Sequence, residues 1–200
     1  MTEEVELLVA TNNEGKMREL NALLAKLPLR LRKLSELPRI SEAEETGETF
    51  TQNAVLKARH YSSRSGLWTM ADDSGLEVDA LGGAPGVYSA RYGGRGISYA
   101  ERMALLLDSM SASGDASRLA RFVCVISLAD PLTGEVETFE GVCEGRIADS
   151  PRGEGGFGYD PLFIPDGFTQ TFGELPSEVK QRLSHRARAL EQAHQYLLRR

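Results

Sequence analysis

The first part of the chain alternates short apolar runs with segments of helical periodicity, which predicts an α/β arrangement. Val5–Ala10 has the length and largely apolar character of a strand, and after a polar loop the leucines recur at helical spacing until Pro28. A second helical pattern runs from Phe50 to Tyr61, and Trp68–Ala71 follows as another short strand. This order predicts an α/β crossover, right-handed if both strands share one sheet.

Two strands and a capped helix are predicted in the middle of the chain. Ser98 is a suitable N-cap for a helix that continues through Met110. Phe122–Leu128 and Val136–Ile147 are strand-like, and the Pro and Gly of Asp130–Gly134 between them favour a tight hairpin. We therefore expect two long antiparallel strands here.

The remaining segments predict an ordered loop and a helical C-terminal region. Leu81–Gly86 contains too much Gly and Pro for regular structure. The region from Pro176 to about Leu198 is helical, in two pieces if Ser184 caps the second. Because no repeat, low-complexity tract or linker interrupts the sequence, we interpret residues 1–200 as one continuous α/β domain, with two lobes around a cleft.

Composition and charge narrow the classes of function. The chain is 41% hydrophobic and 26% charged, which is ordinary for a globular protein and excludes disordered, collagen-like and membrane-embedded classes. The acidic start Met1–Glu4 lacks the basic residues of a targeting peptide, so the expected compartment is the cytoplasm and no membrane partner is expected. The net charge of −6 opposes a general binder of nucleic acid, whereas a small polyanion remains compatible with locally concentrated positive charge.

The two cysteines of the sequence, Cys124 and Cys143, carry no sign of a metal or disulfide framework. They form no CxxC pair, and no His stands near them at metal-ligand spacing. We expect both to be reduced thiols in the core.

The first candidate for chemistry is the polar loop Thr11–Lys16, between the first strand and the first helix. Backbone N–H groups at a helix start, hydroxyl and amide groups and one Lys make a cradle for a polyanion. The loop is not a P-loop, because Ala10 replaces the first Gly and Met17 the Mg²⁺-binding hydroxyl. An N-capped helix with a solvated Lys fits the spacing equally well.

Carboxylates provide the second and third candidates. The loop Glu44–Gly47 precedes a helix bearing Asn53 and Lys57, which suits Mg²⁺ but also suits an ordinary charged helix start. Asp72 and Asp73 follow the Trp68 strand, where adjacent carboxylates are costly unless positive charge balances them. Successive side chains in an extended segment point to opposite faces, so we expect one Asp to reach the cleft and the other to support it.

The late sequence supplies two further candidates. Around Phe157 and Tyr159, glycines allow a backbone to lie flat against a planar ligand, with one ring stacking on a base and Asp160 accepting from base N–H groups. The alternative is a turn whose aromatic rings fold into the core. Lys180 and the tripeptide Ser184–Arg186 can donate to phosphate or purine oxygens, or simply form a basic helix face.

Together these ordered motifs closely resemble the non-canonical purine nucleoside triphosphate pyrophosphatases, the inosine/xanthosine triphosphatase family. The resemblance extends over nearly the whole chain. The matching stretches are Ala10–Lys16, Glu44–Gly47 through Arg59, Ala71–Leu76, Leu81–Tyr92, Gly155–Pro161 and Ser184–Arg186. It implies an elongated α/β fold with a central mixed sheet flanked by helices, two lobes with the active site in the cleft between them, and a homodimer. It also implies hydrolysis of ITP, dITP and XTP to the monophosphate and pyrophosphate with Mg²⁺.

The resemblance further implies a role for individual residues. The metal would be held by Glu45 and Asp73, and Asp73 would also be the general base. The triphosphate would bind Thr11, Asn12, Asn13, Glu14, Gly15 and Lys16. The other substrate-binding residues would be Lys57, Ser74, Phe157, Gly158, Tyr159, Asp160, Lys180, His185 and Arg186. These roles agree with the chemistry, because water attack on a triphosphate needs a metal, cations for the leaving pyrophosphate and a carboxylate to deprotonate the attacker.

Base selection follows from the donors and acceptors of a keto-purine. Hypoxanthine and xanthine present a 6-keto oxygen and a protonated N1, so donors from His185 and Arg186 and an acceptor from Asp160 would penalise ATP. Three other readings compete: a related pyrophosphatase of the septum-inhibitor type that prefers pyrimidine or modified nucleotides, a nucleotide sensor without turnover, and a nucleic-acid binding module. Retention of Lys16, Glu45 and Asp73 favours an enzyme, and net acidity disfavours the nucleic-acid module.

Overall fold

The structure is a computed structural model that describes residues 5–25 and 29–198. The strands are β1 (Val5–Val9), β2 (Leu29–Lys33), β3 (Trp68–Val78), β4 (Leu119–Ala129), β5 (Val136–Ile147) and β6 (Phe163–Pro165). The α-helices are α1 (Glu14–Leu24), α2 (Phe50–Ser65), α3 (Tyr99–Ser113), α4 (Ser177–Leu183) and α5 (His185–Leu197). Short 3₁₀ turns occupy Leu34–Glu36, Asp79–Leu81 and Gly86–Arg91.

The six strands form one mixed sheet in the order β2-β1-β3-β4-β5-β6. Strand β1 is parallel to both neighbours, with Leu7 opposite Leu31 of β2 and Trp68 of β3. Strand β6 runs antiparallel to β5, with Gly145 opposite Pro165. The α/β fold and the parallel pairing of the first two predicted strands are therefore confirmed, and β4 and β5 are neighbours joined by a turn in which Asp130 N–H donates to the carbonyl of Glu135.

Strand β3 is longer than the sequence predicts. The prediction that it ends at Ala71 is wrong, because the strand continues to Val78. Beyond the two aspartates, the buried Leu76 and Val78 continue the apolar pattern, and their backbone N–H groups donate to the Ser89 hydroxyl and the Ala84 carbonyl. Both carboxylates therefore lie within a strand rather than after one.

Helix boundaries follow local capping. Helix α3 begins at a capping box in which the Ser98 hydroxyl accepts from the Glu101 N–H and the Glu101 carboxylate accepts from the Ser98 N–H. The C-terminal helical region is broken at Ser184, whose extended backbone separates α4 from α5 as predicted. Helix α1 ends at Leu24, and the predicted stop at Pro28 lies outside the described residues.

The chain divides into two compact units. The first unit contains the chain up to Asp73, residues 124–141 and the chain from Arg186, and the second contains residues 74–123 and 142–185. In the first unit, Leu7 and Leu8 of β1 point to separate apolar clusters, because successive side chains of a strand alternate. The second unit has one apolar cluster, built around Phe163 and Leu106. None of the helices in the described part combines the length and apolar character needed to cross a membrane.

Candidate active site

The loop between β1 and α1 is built by polar side chains that cap the helix. The Asn13 side chain accepts from the Lys16 N–H at 3.1 Å, and the Thr11 hydroxyl accepts from the Asn13 N–H at 3.2 Å. Asn12, Asn13 and Glu14 remain exposed at the start of this helix, whereas Gly15 is buried. The polar groups and helix dipole that an anion cradle needs are thus gathered here.

Lys16 is an ion-pair partner rather than a solvated surface residue. Its Nζ lies 3.0 Å from Oδ2 of Asp72, and its side chain is only 15% exposed. The alternative of an N-capped helix with a solvated Lys is therefore wrong for this loop. One cation is held at the N-terminal end of α1 by a fixed carboxylate.

Asp72 is completely buried and surrounded by positive charge. Besides Lys16, the Arg186 guanidinium donates to the same carboxylate oxygen, with Nη2 at 3.0 Å and Nε at 3.3 Å, and Arg186 also pairs with Glu19 of α1. Burial by itself would raise the pKa of Asp72, but Lys16 and Arg186 hold that pKa well below its usual range. Asp72 is therefore a permanent carboxylate that anchors two cations.

Asp73 has a different set of partners. Its Oδ1 lies 3.1 Å from Nζ of Lys57, and its Oδ2 accepts from Nδ2 of Asn53 at 3.2 Å. Nζ of Lys57 also lies 2.9 Å from Oε1 of Glu45. The two adjacent aspartates thus have separate partners, as the alternation of a strand requires.

Burial and charge set the protonation of this second group. Burial raises the pKa of Asp73 above its usual value, and the opposing effect of Lys57 does not cancel it. Burial lowers the pKa of Lys57, but Asp73, Asp72 and Glu45 raise it further than burial lowers it. Lys57 is therefore an ammonium group, and Asp73 is a stronger base than an exposed Asp.

The carboxylates beside Lys57 fit a hard divalent cation. Mg²⁺ is usually bound by one or two carboxylates and completes its shell with water and substrate phosphate oxygens. Glu45 and Asp73 meet at one ammonium group, which already marks a position where positive charge is favoured. Residues 5–25 and 29–198 contain no group of three or more His, Cys, Asp or Glu side chains arranged for a metal.

The second unit holds a different cluster around Asp160. This buried carboxylate accepts from the Phe157 N–H at 2.7 Å and pairs with the buried Lys180. Nζ of Lys180 lies 4.6 Å from the centre of the half-buried Phe157 ring, a cation–π distance. The Asp160 carboxylate therefore fixes the loop and the cation beneath Phe157, in addition to any acceptor role toward a base.

Tyr159 and Phe157 differ in position, which decides between the two candidate stacking rings. The Tyr159 side chain is 3% exposed, and its hydroxyl donates to the Ser89 carbonyl at 3.1 Å. Its ring meets Tyr99 edge-on at 5.7 Å. The reading of Tyr159 as a stacking ring is wrong, because its ring is part of the core, and Phe157 is the remaining candidate. The Tyr99 ring also lies 3.6 Å from the position that a Cβ on Gly158 would take.

The remaining predicted residues are divided between the units. His185 belongs to the second unit, is 5% exposed and stacks on Phe122 at 4.8 Å, whereas Arg186 belongs to the first. Ser74 is half-buried in β3, in the second unit. The first unit therefore brings together Lys16, Glu45, Lys57, Asp72, Asp73 and Arg186, and the second brings together Phe157, Asp160 and Lys180.

The sequence motifs place Asn53 beside Lys57 without a role of its own and do not single out Glu19, yet both residues contact the site. Asn53 bonds to Asp73, and its position four residues before Lys57 places both on one face of α2. Glu19 pairs with Arg186 from α1, and lies three residues after Lys16. Helical spacing from an already suspected Lys was the signal available for both.

Comparisons with known proteins agree with the sequence and the fold. The sequence model of the Ham1 family matches residues 7–196. A dITP/XTP pyrophosphatase from Desulforamulus reducens is 47% identical over 195 residues, covering 98% of this chain and 96% of that protein. Another dITP/XTP pyrophosphatase, from Geobacter sulfurreducens, is 50% identical over 184 residues, covering 92% of each chain. The solved structure of a HAM1 protein from Coxiella burnetii is similar with a TM-score of 0.91 at 41% identity, covering 98% of this chain and 100% of that one.

Proposed function

This chain belongs to the Ham1 family, and on that premise we propose that it hydrolyses the keto-purine nucleotides ITP, dITP and XTP to the monophosphate and pyrophosphate. The relatives named as dITP/XTP pyrophosphatases support the reaction class. The observation that carries the proposal for this chain is the contact of one buried ammonium, Lys57, with two carboxylates, Glu45 and Asp73, at 2.9 and 3.1 Å. Within one unit, Lys57 supplies a positively charged ammonium group, and Glu45 and Asp73 supply carboxylates that can bind a cation or accept a proton.

In this proposal Glu45 and Asp73 hold Mg²⁺, which supplies charge neutralisation on the triphosphate when it is bound. Lys57 keeps the two carboxylates together through one ammonium group. Because Lys57 is charged and nine-tenths of its side chain is buried, it also offers a fixed donor to a phosphate oxygen. These residues would thus hold the reacting phosphates and balance their charge.

Asp73 serves as the general base that orients and deprotonates the attacking water. Burial raises the pKa of Asp73 above its usual value, which makes its carboxylate a stronger base than that of an exposed Asp. Asn53 and Lys57 hold its two carboxylate oxygens separately, so the carboxylate has one defined orientation. The reaction then proceeds by direct water attack without a covalent enzyme intermediate.

The cations of the first unit bind the phosphates. Thr11 to Lys16 present polar groups at the N-terminal end of α1, where the helix dipole favours negative charge. Lys16 is held there by Asp72 at 3.0 Å. Arg186 acts through Asp72, because its guanidinium is buried against that carboxylate and Glu19 rather than presented to a ligand.

Base selection is assigned to groups of the second unit. Phe157 offers the face of its ring that Lys180 does not occupy, and stacking on a purine is worth about 1–3 kcal/mol. A donor from His185, as predicted from the sequence, would pair with the 6-keto oxygen, and Lys180 takes the place predicted for Arg186, whose guanidinium is buried against Asp72 and Glu19. The 6-amino group of ATP would meet a donor. A buried donor left unpaired costs about 1–3 kcal/mol, which penalises ATP. Ser74 and Gly158 complete the proposed substrate contacts.

A turnover panel tests the proposal. ITP, XTP, dITP, GTP, ATP and a pyrimidine triphosphate are incubated with and without Mg²⁺, and the products are identified as monophosphate plus pyrophosphate or as diphosphate plus phosphate. We expect keto-purine triphosphates to be cleaved fastest, to the monophosphate, and only with the metal. Preference for the pyrimidine nucleotide, or binding without turnover, would instead favour one of the competing readings.

A variant at the general base sharpens this test. Because general-base catalysis contributes roughly 10²–10⁴-fold, Asp73→Asn should lose at least that factor in kcat on ITP while its circular dichroism spectrum stays that of the wild type. Asp79→Asn is the control, because the Asp79 carboxylate is exposed and lies in the turn directly after β3. This variant should retain activity. A folded Asp73→Asn protein that turned over at the wild-type rate would remove Asp73 from the mechanism.

The setting of the reaction belongs to the same proposal. We place the enzyme in the cytoplasm as a homodimer that acts on free nucleotides, with neither nucleic acid nor membrane as a partner. The net charge of −6 supports the exclusion of nucleic acid. Analytical ultracentrifugation at micromolar concentration tests the dimer, for which a single species of twice the 21.9 kDa chain mass is expected.

A further inference from the structure

Asn53 is a buried amide whose two polar ends reach two different parts of the first unit. Its relative exposure is 0%, although the side chain is uncharged and polar. Its Oδ1 accepts from the Gly47 N–H at 2.8 Å, and its Nδ2 donates to Oδ2 of Asp73 at 3.2 Å. One side chain therefore links β3 with the loop that carries Glu45.

The approach of this loop to Asn53 is close and leaves little freedom. A Cβ on Gly47 would lie 2.8 Å from Oδ1 of Asn53 and 2.6 Å from Cβ of Gln52. Only a glycine allows the backbone N–H to reach the amide oxygen without a shift of the helix. Asn53 therefore sets the position of the Gly47 backbone, which lies two residues after Glu45 in the same loop.

Asn53 and Lys57 complement each other because they lie four residues apart on α2 and face the same way. Lys57 holds Oδ1 of Asp73 and also contacts Glu45, whereas Asn53 holds Oδ2 and the Gly47 backbone. Each of the two side chains therefore ties Asp73 to the Glu45 loop by a separate route. With both carboxylate oxygens held, rotation of the Asp73 side chain is blocked.

We propose that Asn53 is a positioning residue of the hydrolytic reaction: it fixes the orientation of Asp73 and the place of the Glu45 loop beside it. The inference rests on the proposed function, since it assigns Asn53 a part in that reaction. Groups that orient metal ligands and catalytic carboxylates typically contribute 10–100-fold to activity or metal affinity. Asn53 itself touches neither substrate nor metal in this account.

Two substitutions separate the two hydrogen bonds of Asn53. Asn53→Leu has a similar size and removes both bonds, whereas Asn53→Asp keeps an acceptor for Gly47 but replaces the donor that faces Asp73 by a carboxylate oxygen. Gln52→Ala is the matched control, because the Gln52 side chain accepts from the neighbouring Glu48 N–H at 2.7 Å but the amide is exposed and has no contact with Asp73. Thermal unfolding establishes which variants are folded at the assay temperature.

The expected result is a split between kinetic parameters. Both Asn53 variants should lower kcat on ITP by about 10–100-fold with KM changed by less than about threefold, and Gln52→Ala should stay close to wild type. Calorimetric titration with Mg²⁺ alone should show weaker binding to Asn53→Leu than to the wild type. If Asn53 only closed the loop, Asn53→Asp would recover the wild-type kcat, and that recovery would overturn the inference.

The outcome is distinguishable from failure of the proposed function. If wild-type enzyme released no pyrophosphate from any keto-purine triphosphate, the function itself would be wrong before any variant was made. If the wild type were active and folded Asn53→Leu had the same kcat and the same Mg²⁺ affinity, the function would stand and the positioning role would fall. Should Asn53→Leu not fold, the comparison of Asn53→Asp with Gln52→Ala decides alone.

Discussion

Two adjacent aspartates in one strand have opposite electrostatic environments. Asp72 is fully buried between Lys16 and Arg186, and its pKa lies well below the usual range despite its burial. Asp73 has Lys57 and Asn53 as partners, and burial raises its pKa. A pair of carboxylates whose pKa values are moved apart is typical of sites that need one permanent charge and one base.

These opposite shifts predict opposite effects on stability. The folded-state pKa of Asp72 is depressed, so its contribution is present above the unfolded pKa near 4 and is lost as the pH falls. At pH 7, Asp72→Asn should therefore lower the free energy of unfolding, by about 3–5 kcal/mol for a broken buried pair. Urea denaturation at pH 7 measures this change. The difference between wild type and variant should shrink below about pH 4, because only the wild type has a carboxylate at this position to protonate.

The same experiment at Asp73 has the reverse expectation. Because its folded-state pKa is raised, the ionised carboxylate is less favourable in the folded protein than in the unfolded chain above that pKa. At pH 7, the urea midpoint of unfolding of Asp73→Asn should therefore equal or exceed that of the wild type. If Asp73→Asn lowered the free energy of unfolding as much as Asp72→Asn does, the assignment of Asp73 as the catalytic carboxylate would be contradicted.

At the scale of single elements, sequence patterns predict best where a helix or strand is fixed by its own residues. The helix N-cap at Ser98, the length of β5 and the break at Ser184 are all local features, and the structure has them. The strand predicted from the sequence is shorter than β3, because two adjacent aspartates are typical of the residues that follow a strand. The residue that stabilises Asp72 there, Arg186, lies 114 positions later in the chain, which no local pattern can indicate.

Short elements and side-chain rotations account for the other differences. Strand β6 has only three residues, and its ladder with β5 depends on a partner distant in sequence. The sequence could not decide whether Phe157 or Tyr159 faces a ligand, because both rings flank one glycine. The Ser89 carbonyl, 70 residues earlier in the chain, takes the Tyr159 hydroxyl and so buries that ring.

The loop before Asp160 makes an element-scale prediction at a glycine. Gly156 has φ +72°, and a Cβ there would lie 2.0 Å from Oδ2 of Asp160. Gly156→Ala must therefore displace the carboxylate that accepts from the Phe157 N–H and pairs with Lys180. Steady-state kinetics should show KM for ITP raised by about tenfold or more, because the groups assigned to the base are moved.

Gly167→Ala is the matched control for this loop. Gly167 also has a positive φ, +83°, but nothing lies within 4 Å of the position of its Cβ. Both variants thus carry similar backbone strain, of about 1–3 kcal/mol, and only Gly156→Ala adds the clash. Equal KM values for the two variants would show that backbone strain, and not the Asp160 contact, explains the effect.

At the scale of the molecule, the strands of the sheet are shared by both compact units. Strands β3, β4 and β5 each begin in one unit and end in the other along the chain. Unfolding one unit would therefore break three strands that continue into the second. This connectivity predicts that the two units unfold together rather than in separate steps.

The two cysteines test this prediction for each unit separately, because Cys124 lies in the first unit and Cys143 in the second, and both are buried thiols that form no disulfide. Burial raises the pKa of Cys124 to about 12, so almost no thiolate is present at pH 8 and a disulfide reagent should react with it only after unfolding. The Cys124→Ser and Cys143→Ser variants each keep one thiol, and its reaction rate is measured across a urea series. In each variant that thiol should become reactive at the urea midpoint of the circular dichroism transition of the same variant. If one variant reacted well below its own transition while the other did not, the unit that holds the early thiol would be opening alone.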